Sequence, residues 1–151
     1  MSNKTHVIVD LDGTLCDHSH RKHLLGGDFN EYHAALVDDA LHEDIAQLVE
    51  DLSIAHYVIV ACTGRPERYR ERTLAHLREK EVQQHIDLLL MRPDDDFRSD
   101  ADVKLALIDE AFDDRATALE QIAFILDDRD KVVEAFRNAG FRVLQVANGD
   151  Y

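Results

Sequence analysis

Hydrophobic and polar positions along the chain follow two periods in turn. The β-branched run Val7-Ile8-Val9 stops at Asp10-Leu11-Asp12-Gly13-Thr14-Leu15 and reads as a strand covered on both faces, ending in a loop that Gly13 allows to turn sharply. Ile45, Ala46, Leu48, Val49 and Leu52 recur at helical spacing and predict an amphipathic helix over 42–55. Tyr57 to Cys62 predicts a second strand, closed by Thr63-Gly64-Arg65-Pro66, with Pro66 in the first turn of a helix reaching about Lys80. Tyr69, Leu74 and Leu77 give that helix only a narrow apolar stripe, which predicts a surface position. Ile86 to Met91 predicts a third strand. Val103, Leu107, Ile108 and Ala111 mark a helix over 101–112, and 114–121 a short helical turn. Ile122 to Leu126 is a strand ending at Asp127-Asp128. A helix over 129–139 turns Val132, Val133 and Phe136 inward, with Gly140 just past its end, and Phe141 to Val146 closes the sheet.

Strands alternating with helices imply right-handed crossovers and an α/β fold, a three-layer doubly wound parallel sheet. Residues 16–40 hold no sustained periodicity before Tyr32 and carry Gly26-Gly27, Phe29 and the histidines His18, His20 and His23, so they read as a small insert after the first strand, too short for a large cap. The 151 residues suit a single domain, 1–151, with its own core.

Composition narrows the function classes. With 45% hydrophobic and 32% charged residues the chain suits a soluble globular protein. The net charge of -14 repels nucleic acid at long range and argues against a protein that coats DNA, while leaving room for a local basic pocket. Cys16 and Cys62 are too few for a disulfide framework and are expected reduced. No signal-like apolar segment opens the sequence and no apolar run approaches the roughly 20 residues of a membrane span, so the expected location is cytoplasmic, with no membrane partner.

Asp10 and Asp12, Thr63 to Arg65, and Asp127-Asp128 each close a predicted strand at its carboxyl end, where open α/β sheets place their chemistry. Lys104 falls near the amino end of its helix, on the same side. The four acids Asp10, Asp12, Asp127 and Asp128 suit a Mg²⁺ ion, which prefers carboxylates and waters. One aspartate can then attack phosphorus while the acid two residues on protonates the leaving oxygen. The Thr63 hydroxyl, the backbone N–H groups from Gly64 on and Lys104 suit the phosphoryl oxygens. Taken singly, each piece has a plainer reading: a solvated Asp-x-Asp turn, a surface lysine, an N-cap at Asp127-Asp128. Their order and shared placement outweigh those readings. His18, His20 and His23 suggest Zn²⁺ or Ni²⁺, but their spacing fits no zinc motif, and they are expected to be solvated, with His20 and His23 over the substrate entrance.

Asp10-Leu11-Asp12-Gly13-Thr14-Leu15, then Thr63-Gly64-Arg65, then Lys104, then Asp127-Asp128 resembles the four-motif order of the haloacid dehalogenase superfamily of phosphohydrolases, over nearly the whole chain. The resemblance implies a nucleophile at Asp10, a general acid/base at Asp12, phosphate binding by Thr63 and Lys104, and Mg²⁺ held by the last acids, Asp128 foremost. Arg21, Arg65, Asp100 four residues before Lys104, and the ending Gln-Val-Ala-Asn-Gly-Asp-Tyr resemble more narrowly the 3′-phosphatase domain of phage polynucleotide kinase. That implies a 3′-phosphorylated nucleic acid end or nucleotide as substrate, with Thr14, Arg21, Gly64, Arg65 and Asp100 on the substrate side. Planar guanidinium forks suit such a site. Asp100 reads equally well as a partner of Lys104 or as a helix cap. No G-x-x-x-x-G-K-[ST] phosphate loop occurs, so any 5′-kinase step is expected to need a separate kinase or ligase partner. A homodimer is the base-rate expectation. Two other readings stand beside this one: a nucleotidase acting on mononucleotides, and a phosphate-binding module without turnover, which the full set of acids argues against.

Overall fold

The computed structural model describes residues 3–151. Strand β1 (His6–Val9) leads into the insert, which holds β2 (Cys16–Asp17), a 3-10 turn over Ser19–Leu24, α1 (Phe29–Ala34), a second 3-10 turn over Ala35–Asp38 and β3 (Ala40–Leu41). The chain continues through α2 (Glu43–Ile54), β4 (Val58–Pro66), α3 (Arg70–Glu79), β5 (Leu88–Arg92), α4 (Asp100–Ala111), α5 (Arg115–Gln121), β6 (Ile122–Asp127), α6 (Asp130–Asn138) and β7 (Val143–Gln145). The five long-range strands pair in parallel in the order β5-β4-β1-β6-β7, while β2 and β3 form a separate antiparallel ribbon.

The period of two along each strand sorts the core into two layers. Val7, Val9, Ile59 and Ala61 pack with Ile45 and Val49 of α2 and Leu77 of α3. Ile8, Val60, Cys62 and Ile125 pack with Ile108, Ala118, Val132 and Phe136 of α4, α5 and α6. The doubly wound α/β sheet expected from the sequence is therefore present, with β1 at its centre.

Two elements differ from the sequence expectation. The second strand does not stop at Thr63: its pairing with β5 continues to Pro66 through an irregularity between Thr63 and Pro66, and a 3-10 turn over Glu67–Tyr69 precedes α3. Such a bulge lets one strand end aim successive side chains in new directions. Helix α3 is more than a surface element, because Thr73 and His76 are buried beside Leu77. The Thr73 hydroxyl accepts from Arg65 Nη1 at 3.2 Å, and His76 Nε2 lies 2.8 Å from the Asp39 carbonyl oxygen. The helix covers buried polar groups, so its inner face reads as polar in sequence.

The insert is ordered and anchored by Leu15, Cys16 and Leu36, all fully buried. Both cysteines are free and buried, and burial pushes the Cys16 thiol up to about 12. Among the described residues no helix is long and apolar enough to cross a membrane.

His33 of α1 is buried against the rings of Tyr32 and Tyr69, at 5.0 and 5.1 Å, and burial pushes its pKa down to about 4. The unfolded chain, with an imidazole near 6.5, binds more protons than the folded one between these values, so stability falls as pH drops from about 6.5 to 4. Urea unfolding at pH 7 and pH 4 should show a loss larger in the wild type than in His33→Gln, by about 3 kcal/mol at most. Equal losses in the two proteins would remove this account of His33.

Candidate active site

The sheet order puts the carboxyl ends of β4, β1 and β6 side by side, so Thr63, Asp10 and Asp127 emerge next to one another. All three are buried. The loop after β1 folds back at Gly13, whose φ is +87° and where a Cβ would lie 2.3 Å from Asp128 Oδ2. Only glycine suits both the backbone and the space.

Lys104 reaches this point from α4. Its ammonium donates to Asp10 Oδ1 and Asp127 Oδ2, each at 2.8 Å, and lies 3.3 Å from Asp100 Oδ2. Burial alone would lower the Lys104 pKa, but the charges of Asp10, Asp100 and Asp127 hold it well above its ordinary value. The Asp10 carboxyl is pushed well up, first by burial and then by Asp127, with Lys104 opposing. Asp10, Asp127 and Asp128 each offer an oxygen, and these lie within 4.8 Å of one another. Three buried carboxylates around one ammonium leave negative charge in surplus, and a hard, oxygen-seeking divalent cation fits that donor set. The Thr14 hydroxyl lies 3.3 Å from Asp10 Oδ2 and 3.2 Å from Asp128 Oδ1.

Asp12 belongs to a different network. Its Oδ1 accepts from Arg21 Nη2 at 2.5 Å and from Arg65 Nη2 at 2.6 Å. The same arginines reach Asp39 at the end of the insert, Arg21 through Nε at 2.8 Å and Nη2 at 2.6 Å, and Arg65 Nη2 at 3.5 Å. Burial would raise the Asp12 carboxyl, yet the guanidiniums of Arg65 and Arg21 hold it well below the usual carboxylate range.

A cleft of about 310 Å³ opens above these groups. Asp10, Asp12, Thr63, Gly64, Asp100 and Lys104 line it, with His18, Tyr32, His33 and Tyr151 on the insert side and Phe29 and Phe97 also on its wall. Thr14, Arg21 and Arg65, expected on the substrate side, do not line it. Thr14 is taken up by Asp10 and Asp128, and the two arginines are buried because Asp12 and Asp39 are the anions they neutralise. The Asp12 carboxylate, expected beside the metal acids, is paired with Arg21 and Arg65 and does not belong to the close group of Asp10, Asp127 and Asp128.

Asp100 is settled as a partner of Lys104, since the Ser99 hydroxyl caps α4 by accepting from Asp102 N at 3.1 Å. Asp127 and Asp128 do not serve as the N-cap residue of α6, a position held by Arg129; Asp127 Oδ1 instead accepts the Arg129 N–H at 3.0 Å. The histidines diverge. His18, expected to be solvated, is buried with Nδ1 2.7 Å from Tyr32 Oη, and it is His18 rather than His20 or His23 that lines the cleft. His20 Nε2 sits 2.7 Å from Asp39 Oδ1, and His23 is exposed. Two groups escaped the sequence reading. Asp39 is one of 31 acids and carries no pattern of its own. Tyr151 was visible only as the last residue of a resembling segment, and its hydroxyl donates to Asp128 Oδ2 at 2.7 Å.

A family model of the polynucleotide kinase PNKP phosphatase domain matches residues 4–151. No curated protein matches the sequence with significance. A chain in the structure of the Pnkp1/Rnl/Hen1 RNA repair complex is 31% identical, with a TM-score of 0.81 over 100% of this chain and 45% of that chain. A second structure of the Pnkp1/Rnl/Hen1 complex gives 30% identity and a TM-score of 0.78 over 100% of this chain and 49% of the other. This chain thus spans about half the length of those two. A haloacid dehalogenase-like hydrolase from Streptococcus pneumoniae, 18% identical, shares the fold with a TM-score of 0.67 over 96% of this chain and 85% of that one. The motif order, the fold around it and the match over residues 4–151 agree: the chain belongs to the family of polynucleotide kinase PNKP phosphatase domains and is a phosphatase domain of the haloacid dehalogenase type.

Proposed function

We propose that this domain is a Mg²⁺-dependent phosphomonoester hydrolase that removes a 3′-terminal phosphate from a nucleic acid end or nucleotide, through an aspartyl-phosphate at Asp10. The observation that carries the reading is the sorting of the two carboxylates that flank Leu11. Asp10 faces the cleft on the Lys104 ammonium, and Asp12 is held on two guanidiniums. This sorting supports Asp10 as nucleophile and Asp12 as proton carrier.

An Asp10 oxygen attacks phosphorus, the ester P–O bond breaks, and the leaving oxygen takes a proton from Asp12. Water then attacks the acyl phosphate, returns a proton to Asp12 and frees phosphate and Asp10. The guanidiniums keep Asp12 ionised before substrate arrives, so the proton it passes to the leaving oxygen is one it takes from a singly protonated phosphate monoester, and the proton it gains from water in the second step leaves with the product phosphate. A phosphate seated on Lys104 sets a second negative charge against Asp12 and raises its proton affinity. The Thr63 hydroxyl oxygen accepts the Arg65 N–H at 3.2 Å, so its own hydrogen is directed to a phosphoryl oxygen. Asp10, Asp127 and Asp128 would hold the Mg²⁺, whose charge neutralises the phosphoryl group. In this reading Arg21 and Arg65 act on the substrate through Asp12, and Asp39 completes their pairing. Asp100 keeps Lys104 in place, and Gly64, whose carbonyl accepts from Arg92 Nε at 3.0 Å, shapes the wall beside Thr63.

The family match and the likeness to chains of an RNA repair complex support a nucleic acid end and work alongside separate kinase or ligase polypeptides. A mononucleotide is the second substrate class, favoured by the net charge of -14 and by a cleft of about 310 Å³, at the scale of small-ligand sites.

With Mg²⁺ the purified domain should release phosphate faster from a 3′-phosphorylated oligonucleotide than from its 5′-phosphorylated counterpart. Chelation should stop release. Asp10→Asn should lower kcat by on the order of 10³-fold or more and Asp12→Asn by roughly 10²- to 10⁴-fold. No release from oligonucleotides or mononucleotides would end the enzyme reading, and a faster 5′ reaction would end the 3′ assignment.

Asp39→Asn strips a buried anion from two guanidiniums and should cost about 3–5 kcal/mol in urea unfolding, with kcat falling more than KM rises. A variant as stable and active as wild type would show that Asp39 does not hold the arginine pair.

A further inference from the structure

Beyond β7 the chain folds back across the loop that carries Asp127 and Asp128. Val146 N donates to the Asp127 carbonyl at 3.2 Å, and the Gln145 side-chain amide donates to the Asp128 carbonyl at 3.0 Å and to Asp130 Oδ1 at 2.7 Å. Asp130 N donates to the Gly149 carbonyl at 2.8 Å. Gly149 lies so close to the loop that a Cβ would stand 2.1 Å from the Asp128 carbonyl oxygen and 2.6 Å from Arg129 Cα. No other residue fits between the strap and the loop without moving one of them.

The strap delivers Tyr151. Its hydroxyl donates to Asp128 Oδ2 at 2.7 Å, while Arg129 Nε donates to its main-chain oxygen at 2.7 Å. Cations stand over the ring, Lys22 Nζ at 4.0 Å and Arg129 Cζ at 5.2 Å from its centre, and the His18 ring packs at 5.3 Å. Such cation and ring contacts fix the plane of an aromatic side chain. Tyr151 lines the cleft, whereas Asp128, behind it, does not. Asp128 has few other restraints: the Thr14 hydroxyl reaches Oδ1 at 3.2 Å and is shared with Asp10.

We propose that Tyr151 is a positioning residue for the metal site, its hydroxyl holding Asp128 Oδ2 so that the carboxylate meets a divalent cation in one orientation. This rests on the Mg²⁺ reading above. It assigns a role to the strap over residues 146–151, which couples the insert, through Lys22 and His18, to Asp128. Hydrogen-bond partners of metal ligands typically set affinity or activity by 10- to 100-fold.

The test is an electron paramagnetic resonance titration with Mn²⁺ of the wild type, Tyr151→Phe and Gly149→Ala, alongside phosphate release over a Mn²⁺ series and thermal unfolding without metal. Tyr151→Phe keeps the ring and its cation contacts and loses only the hydroxyl. The expected result is Mn²⁺ binding weaker by about tenfold or more, an activity loss that shrinks as Mn²⁺ is raised, an unchanged KM for substrate and an unchanged metal-free unfolding temperature. Gly149→Ala, which displaces the strap with the hydroxyl intact, should weaken Mn²⁺ binding in the same direction. Wild-type affinity in Tyr151→Phe overturns the inference, and so does tighter binding, which would mean that the hydroxyl competes with the cation. A fall in metal-free unfolding temperature with equal Mn²⁺ affinity also overturns it, as the mark of a purely structural contact. If the wild type itself binds no Mn²⁺, the metal reading fails first and takes this inference with it.

Discussion

Five carboxylates, Asp10, Asp12, Asp39, Asp127 and Asp128, are gathered at one end of a parallel sheet where water cannot screen them well, and the site depends on how their charge is divided. Asp12 and Asp39 take Arg21 and Arg65, two anions against two guanidiniums. Asp10 and Asp127 share the single ammonium of Lys104 with Asp100, while the Asp128 carboxylate beside them accepts from the Thr14 and Tyr151 hydroxyls, and the cluster stays short of positive charge. A buried pair is stabilised only when geometry and hydrogen bonding are nearly complete, and the arginine network meets that condition. The lysine cluster does not, and the imbalance is what suits it to a cation.

The fold supplies this division at little cost. Parallel strands bring three loop origins together, so Asp10, Thr63 and Asp127 arrive as neighbours although they stand more than 50 residues apart in sequence. The bulge near the end of β4 sends the Arg65 side chain inward while leaving Thr63 on the cleft. Gly13 lets the first loop close against Asp128, and the insert adds Asp39 from below and His18 from the side. The insert therefore acts less as a cover than as the source of the acid that locks both arginines.

The strand ends were legible because apolar runs broke at acids and at Gly64, a local signal that tertiary packing rarely reverses. The direction of Arg21 and Arg65 was not legible, since a guanidinium fork matches a carboxylate as well as a phosphate and the deciding partner, Asp39, is distant in sequence. Helix α3 read as superficial for a related reason: Thr73 and His76 occupy buried positions because the groups beneath them are polar. His18 was misplaced because its surroundings come from Tyr32 and Tyr151, beyond any short segment. Local pattern carried the architecture, while long-range charge pairing decided the finer geometry.

The central claim is that the arginines leave Asp10, and not Asp12, as the carboxylate that meets phosphorus. Borohydride reduces an acyl phosphate to the alcohol, so quenching the enzyme during turnover with labelled borohydride, followed by peptide mapping, reads the nucleophile directly. The account predicts conversion of Asp10 to homoserine, dependent on substrate and Mg²⁺. Label on Asp12, Asp127 or Asp128, or no label under conditions of steady turnover, would contradict it.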